Sequence, residues 1–170
     1  MTPSEVAAIL EESGDAVARL ISSVPPATAR WKPSARDWCI NECVGHLIEA
    51  ERRAFAGRIR IILGSSEPLL EAWDATDVAR ARSDCERDPQ ELRDEFKQLR
   101  DESVVLVRSL TPEQLQRGGI HPQVARLTVA ELLHEWVHHD GNHLRQALSN
   151  VQAYVWPHMG NARHFTRPEM

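Results

Sequence analysis

Along the chain, apolar residues return every three or four positions in four long segments, the pattern of helices that each bury one face. The first segment opens at Thr2-Pro3-Ser4-Glu5, where Thr2 can cap, Pro3 suits the first helical position and Glu5 completes a capping box. Val6, Ile9, Leu10, Val17, Leu20, Ile21 and Val24 form its stripe, and Pro25-Pro26 ends it. The second runs from about 40 to 63 through Ile40, Val44, Leu47, Ile48, Phe55, Ile59 and Ile62, with Gly64 just beyond. The third starts at Asp88-Pro89-Gln90-Glu91 and continues through Leu92, Phe96, Leu99, Leu106 and Leu110. The fourth begins with the capping box Thr128-Val129-Ala130-Glu131 and extends to about Ser149.

The connections refine this picture. A loop over about 25–38 carries Trp31 and Trp38, and Thr111-Pro112-Glu113 starts a short extra turn. The polar stretch of about 64–87 is long for neighbouring antiparallel helices, so it predicts a crossover between helices two and three. Strand signals are nearly absent, since no extended alternation closes on a two-residue hairpin turn. The expectation is an all-α four-helix bundle, with residues 1–170 as a single domain whose core needs no disulfide or structural metal.

Composition narrows the functional classes. Apolar residues at 42% and charged residues at 26% suit a soluble globular protein, and no apolar run approaches the roughly 20 residues of a membrane span. The N-terminus lacks the basic start and apolar stretch of a secretory signal. A cytoplasmic location with free thiols at Cys39, Cys43 and Cys85 is the simplest expectation. The net charge of −5 argues against a phosphate-binding surface, so nucleic acid is not an expected partner. Arginines mixed with acids, as over Arg80–Asp88, read as solvated surface.

The candidate chemistry lies in the fourth helix, whose run His134-Glu135-Trp136-Val137-His138-His139-Asp140-Gly141-Asn142-His143 holds two histidine pairs at four-residue spacing. Such a pair can present both imidazoles to one metal. At about 100° per residue, the apolar stripe centres near Trp136, with His139 and His143 roughly 60° and 20° from it and Asp140 also inward. His134 and His138 fall on the water side. Two inward histidines and a carboxylate point either to a metal or catalytic site or to an internal hydrogen-bond network, because buried polar groups are costly unless paired. A third ligand from a facing helix would be His46 or the inward-looking Glu51; periodicity leaves both open. His121, His158 and His164 read as surface histidines.

Three blocks in order carry a resemblance: Trp31-Lys32-Pro33, then Trp38-Cys39-Ile40-Asn41-Glu42-Cys43-Val44-Gly45-His46-Leu47-Ile48, then Thr128–Leu133 leading into His139-Asp140-Gly141-Asn142-His143-Leu144-Arg145-Gln146. Together they resemble the DinB-like superfamily. That resemblance implies an up-down-down-up four-helix bundle, often dimeric, which holds one divalent ion, zinc or nickel foremost, through three histidines. Carried over, these are His46, His139 and His143. One departure is Cys39, where the family usually has a serine cap; a thiol caps poorly, so the helix start loses about a kcal/mol or shifts to a cap at Asn41.

The resemblance further implies a small-molecule substrate and, in its characterised members, low-molecular-weight thiol chemistry. A metal-dependent S-transferase is therefore the first expectation and a metal-dependent hydrolase the second. Asp140 and Glu51 are candidates for orienting an imidazole or serving as a general base, unless an arginine such as Arg145 engages them. The expectation of a different class is a non-catalytic helical module that the ion only stabilises. By position, the 64–87 connection and the tail after Val151, with Tyr154, Trp156 and Phe165, would shape the mouth of the site.

Overall fold

A computed structural model describes residues 1–166; the last four positions of the 1–170 span lie outside the described residues. In chain order the helices are α1 (Pro3–Ser23), α2 (Pro26–Arg30), α3 (Ile40–Glu49), α4 (Ala56–Gly64), α5 (Ala75–Arg82), α6 (Pro89–Arg108), α7 (Pro112–Leu115) and α8 (Val129–Val155). The expected start signals operate as caps. Thr2 and Thr128 each accept from the backbone N–H of the glutamate three residues on, and that glutamate reaches back to the threonine N–H. Asp88 caps α6 through Gln90 N–H at 2.7 Å.

The bundle consists of α1, the α3–α4 pair, α6 and α8. Its apolar interior falls into two clusters, and their membership fixes the course of the chain. One cluster joins the first half of α1, all of α4, the second half of α6 and the first half of α8, through Val6, Leu10, Ile59, Val107 and Trp136. The other joins the second half of α1 to α3, the first half of α6 and the second half of α8, through Ile21, Val44, Phe96 and Ala147. Thus α3–α4 and α6 run in the same direction, opposite to α1 and α8, giving the up-down-down-up order. No helix among the described residues is long and apolar enough to cross a membrane.

The structure departs from the sequence pattern at four places. First, the second helix is not continuous: Ala50–Ala54 form a π-helical turn, closed by Phe55 N–H donating to Ala50 O at 2.9 Å. Gly57 permits it, because a Cβ there would sit 1.8 Å from Arg52 O. Second, residues 68–70 and the short strands β1 (Gly118–His121) and β2 (Ala125–Thr128) pair where no strand was expected. The hairpin escaped notice because its connection is three residues long and its left-handed residue is Ala125 (φ 60°), not glycine. Third, α8 continues six residues beyond Ser149 to Val155. Fourth, Cys39 heads α3 despite its thiol, with its N–H donating to Glu42 at 2.9 Å, while Asn41 donates to Cys85 O and Arg87 O instead of capping.

The crossover is also more than solvated surface. Asp84 is buried; it accepts from Arg82 Nε at 2.5 Å and from Arg87 Nη1 at 3.2 Å. Arg82 also donates to Glu49 on α3 at 2.7 Å, and Arg87 to Glu95 on α6 at 2.8 Å. Cys39 Sγ lies 2.8 Å from Cys85 Sγ at the same seam. This ionic clamp presses the crossover onto α3, and Gly45 makes the approach feasible: a Cβ there would lie 1.8 Å from Asp84 Oδ2. Alanine in a helix interior gains about 1 kcal/mol over glycine, whereas overpacking a site held by two arginines costs about 1–3 kcal/mol. Gly45→Ala is therefore expected to lower the urea midpoint despite its better helix propensity. A raised midpoint would show that Asp84 moves aside freely.

Candidate metal centre

Between the two apolar clusters lies a polar layer. His46 from α3 and His139 and His143 from α8 converge there, each offering a ring nitrogen within 4.8 Å of the others. His46 Nε2 and His139 Nε2 stand 2.9 Å apart. The four-residue spacing on α8 stacks His139 and His143 on one face, as helical geometry requires. His46, placed on the flank of its stripe by periodicity, is only 8% exposed. Glu51, its competitor as third ligand, points elsewhere.

Aromatic rings wall this group. Trp38, whose carbonyl accepts from Asn150 Nδ2 at 2.7 Å, has its ring 5.0 Å from His46 and stacked 6.1 Å from His143. Trp73, from the crossover, stacks on His46 at 5.6 Å. Phe55, which ends the π turn, lies edge-on to His139 at 5.1 Å and stacks on Trp136 at 5.0 Å. The crossover thus reaches the site through Trp73. From the tail, Tyr154 packs on Trp31 at 5.5 Å, while Trp156 and Phe165 remain exposed.

The electrostatics favour three neutral imidazoles. Burial, reinforced by the neighbouring histidines, pushes His46 down to about 3, and burial with His143 and Arg100 does the same to His139. His143 is also lowered by burial, against opposing pulls from Gln146 and Asp140. Lone pairs are therefore available at neutral pH, which a divalent ion requires of imidazole ligands. Two nitrogens each about 2.0–2.1 Å from one ion are separated by about 2.9 Å at a right angle, so the observed approach fits shared coordination. His143 Nδ1 meets Gln146 Oε1 at 3.0 Å, the outward hydrogen bond that fixes which nitrogen faces inward. His46 Nδ1 and His139 Nδ1 are buried without a partner among the described residues.

Asp140 and Glu51 are not free carboxylates. Both grip Arg100, a residue the sequence pattern did not single out, which is 1% exposed at the bundle centre. Arg100 donates to both Asp140 oxygens, at 2.5 and 3.1 Å, and to Glu51 Oε1 at 2.7 Å. It also donates to Leu10 O at 2.8 Å, while Ser103 Oγ donates to Glu51 at 2.5 Å and Ser13 Oγ to Asp140 at 2.7 Å. The partner of Asp140 is thus Arg100 and not Arg145, which turns outward to Asn142. Burial raises the Glu51 carboxyl above its usual range, a shift that Arg100 and Ser103 only partly offset. Burial opposes the Arg100 charge, but the two carboxylates outweigh it and hold the guanidinium protonated. Gly14 leaves room for this side chain: a Cβ there would meet Arg100 Cγ at 2.7 Å. The available signal was an arginine in register with Leu92 and Phe96, facing two inward acids.

Among the other histidines, His134, His138, His158 and His164 are exposed. His121 is not the surface residue expected: it is buried, with Nε2 3.0 Å from Arg58 Nη2.

A four-helix bundle in which three histidines converge could hold a metal ion. Residues 9–147 match the DinB superfamily, and the chain belongs to that family. Among solved structures it is similar to YfiT from Bacillus subtilis, named a probable metal-dependent hydrolase with an unusual four-helix bundle topology. That match has TM-score 0.81 and 19% identity, covering 91% of this chain and 88% of that one. It is also similar to a mycothiol-dependent maleylpyruvate isomerase, with TM-score 0.69, 13% identity and 86% of this chain covered. The chain spans 61% of the isomerase's length. No curated protein matches in sequence.

Two outcomes follow. Arg100→Met strands two buried carboxylates and is expected to cost about 3–5 kcal/mol, while the triple variant Glu51→Leu, Arg100→Met, Asp140→Leu recovers most of it. Urea denaturation decides; a mild single-variant effect would mean that water solvates the layer. The second outcome concerns acid. Folding lowers the proton affinity of His46 and His139, so the unfolded chain takes up protons that the folded chain refuses as pH falls below about 6.5. The stability of the chelator-treated protein is thus complete above that value and lost progressively toward about 3. The slope is about 1.4 kcal/mol per pH unit for each histidine. The urea midpoint should fall between pH 7 and 5.5, and fall less in His139→Asn; equal slopes in the two proteins would contradict the burial of neutral imidazoles.

Proposed function

We propose that this protein is a metal-dependent enzyme which activates a low-molecular-weight thiol for transfer to a small electrophile, with zinc or nickel held by His46, His139 and His143. The observation that carries the reading is the convergence of three neutral imidazoles in an aromatic-walled recess. Among the described residues no fourth His, Cys, Asp or Glu joins this group. Closed structural zinc sites have four protein ligands, whereas three leave a position for a reactant. An ion bound there would supply Lewis acidity to a thiol or a water.

The chain's own residues favour the thiol. A positioned base would help a hydrolytic reaction take the proton of metal-bound water, yet Asp140 and Glu51 are both engaged by Arg100. A thiol is a stronger acid than water and gives its proton to solvent more readily, so it depends less on such a base. In this reading Asp140 and Glu51 fix Arg100, burial aided by His143 and Arg100 keeps His139 neutral, and Gln146 orients His143. Trp38 and Trp73 flank the imidazoles with apolar ring surface. The thiol dependence of the isomerase supports this choice. Metal-dependent hydrolysis is the second reading, favoured by the closer structural likeness to YfiT.

The first test is metal content by plasma mass spectrometry, on tag-free wild type and on His139→Ala, His143→Ala. Near-stoichiometric zinc or nickel in wild type, lost in the variant, is expected, followed by metal-dependent conjugation of thiols to electrophiles. Wild type that stays metal-free after incubation with both ions would reduce the triad to a core network. Metal binding that raises stability without supporting turnover of thiols or esters would leave a non-catalytic module.

A further inference from the structure

Among the described residues two arginines are buried, and they face opposite situations. Arg100 is saturated by two carboxylates. Arg58, on α4 just past the π turn, is 8% exposed and forms no ion pair with any carboxylate among the described residues. Its Nη2 donates to Glu71 O at 3.1 Å, and its Nε is buried with no partner among the described residues. A buried cation without an ion-paired carboxylate is costly, and burial lowers the proton affinity of this one against a smaller opposing pull from Glu135.

The neighbouring histidine sharpens the point. His121 Nδ1 accepts from Gln123 N–H at 3.3 Å. A neutral imidazole has one acceptor nitrogen, so it cannot accept from both Gln123 and Arg58. His121 Nε2 lies 3.0 Å from Arg58 Nη2, so in either tautomer this group holds more N–H donors than acceptors. Both line a cavity of about 180 Å³ that is also bounded by Trp73, Leu127 and, at its exposed rim, Glu135. Trp73 is the ring that stacks on His46. One indole therefore separates this cavity from the histidine triad.

We propose that Arg58 and His121 form an anion subsite that takes the carboxylate of a small organic ligand. A carboxylate supplies the missing counter-charge and two acceptor oxygens for the planar guanidinium fork and its surplus N–H groups. Trp73 and Leu127 give its hydrocarbon portion an apolar surface. Glu135 disfavours a second negative charge at the rim, so the ligand is a monocarboxylate at this end. That the ligand is the electrophile, anchored here while its other end reaches the triad past Trp73, rests on the metal reading above; the anion subsite itself does not.

The test is titration of the chelator-treated protein with butyrate and with its uncharged counterpart butyramide at fixed ionic strength, followed by tryptophan fluorescence and calorimetry. Because no metal is involved, its result is independent of the metal content measured above. Saturable butyrate binding is expected, with butyramide bound at least tenfold more weakly. Arg58→Met should weaken butyrate at least tenfold without lowering the melting temperature, since a buried cation without a counter-charge adds little to folding. Arg58→Lys should keep part of the affinity, and Glu135→Gln should strengthen it. Equal binding of butyrate and butyramide, or wild-type affinity in Arg58→Met, would overturn the subsite. Should Arg58→Met fail to fold, Glu135→Gln decides alone, and an unchanged butyrate affinity there overturns it.

Discussion

The buried Arg100 guanidinium, gripped by Glu51 and Asp140, is the interaction on which the rest of this bundle depends. It joins three helices at the level where the apolar interior divides in two. The Coulomb attraction of such a trio is large in a low dielectric, but so is the cost of removing three charges from water, and the two nearly cancel. What the trio contributes is specificity. A register slip of α6 against α8 or α3 would leave buried charges unpaired, at a cost comparable to much of a domain's marginal stability. Gly14 on α1 and the serines on α1 and α6 complete the arrangement, so all four helices are keyed to one level.

That key also positions the histidines. Asp140 and His139 are consecutive on α8, so fixing the carboxylate on Arg100 fixes the direction of the adjacent imidazole. The π turn acts similarly on the other side. It adds a residue to the turn between His46 and Phe55, allowing Glu51 to face Arg100 while Phe55 packs on Trp136 and His139. Gly57 accommodates the carbonyl that the turn displaces.

Much of this was legible in the sequence, and the remainder was hidden for physical reasons. Helix starts were readable because capping is local chemistry, carried by Thr2, Asp88 and Thr128 within three residues. The inward direction of His139 and His143 followed from periodicity alone, and their meeting with His46 needed the resemblance. Arg100 was missed because a stripe defined by apolar residues passes over a charge within it. The crossover clamp was missed because Arg82 and Asp84 have the composition of surface; only tertiary contact with Glu49 and Gly45 shows them buried. The hairpin lacked its usual glycine or asparagine, and the left-handed Ala125 is held there by pairing that no short window reveals.

The contrast between the two buried arginines gives the site its polarity. Arg100 is matched by two carboxylates, so the layer behind the histidines leaves its guanidinium no charge to offer a ligand. Arg58 is ion-paired to none among the described residues, with Glu135 only at the exposed rim, so on the far side of Trp73 its guanidinium keeps unused donors. A reactant spanning the indole would meet an electrophilic centre at one end and an anion anchor at the other, with little electrostatic cancellation across the ring because Arg100 is already neutralised. Two like residues in one bundle thus serve opposite ends: one is compensated and holds the helices in register, while the other keeps its charge available to a ligand.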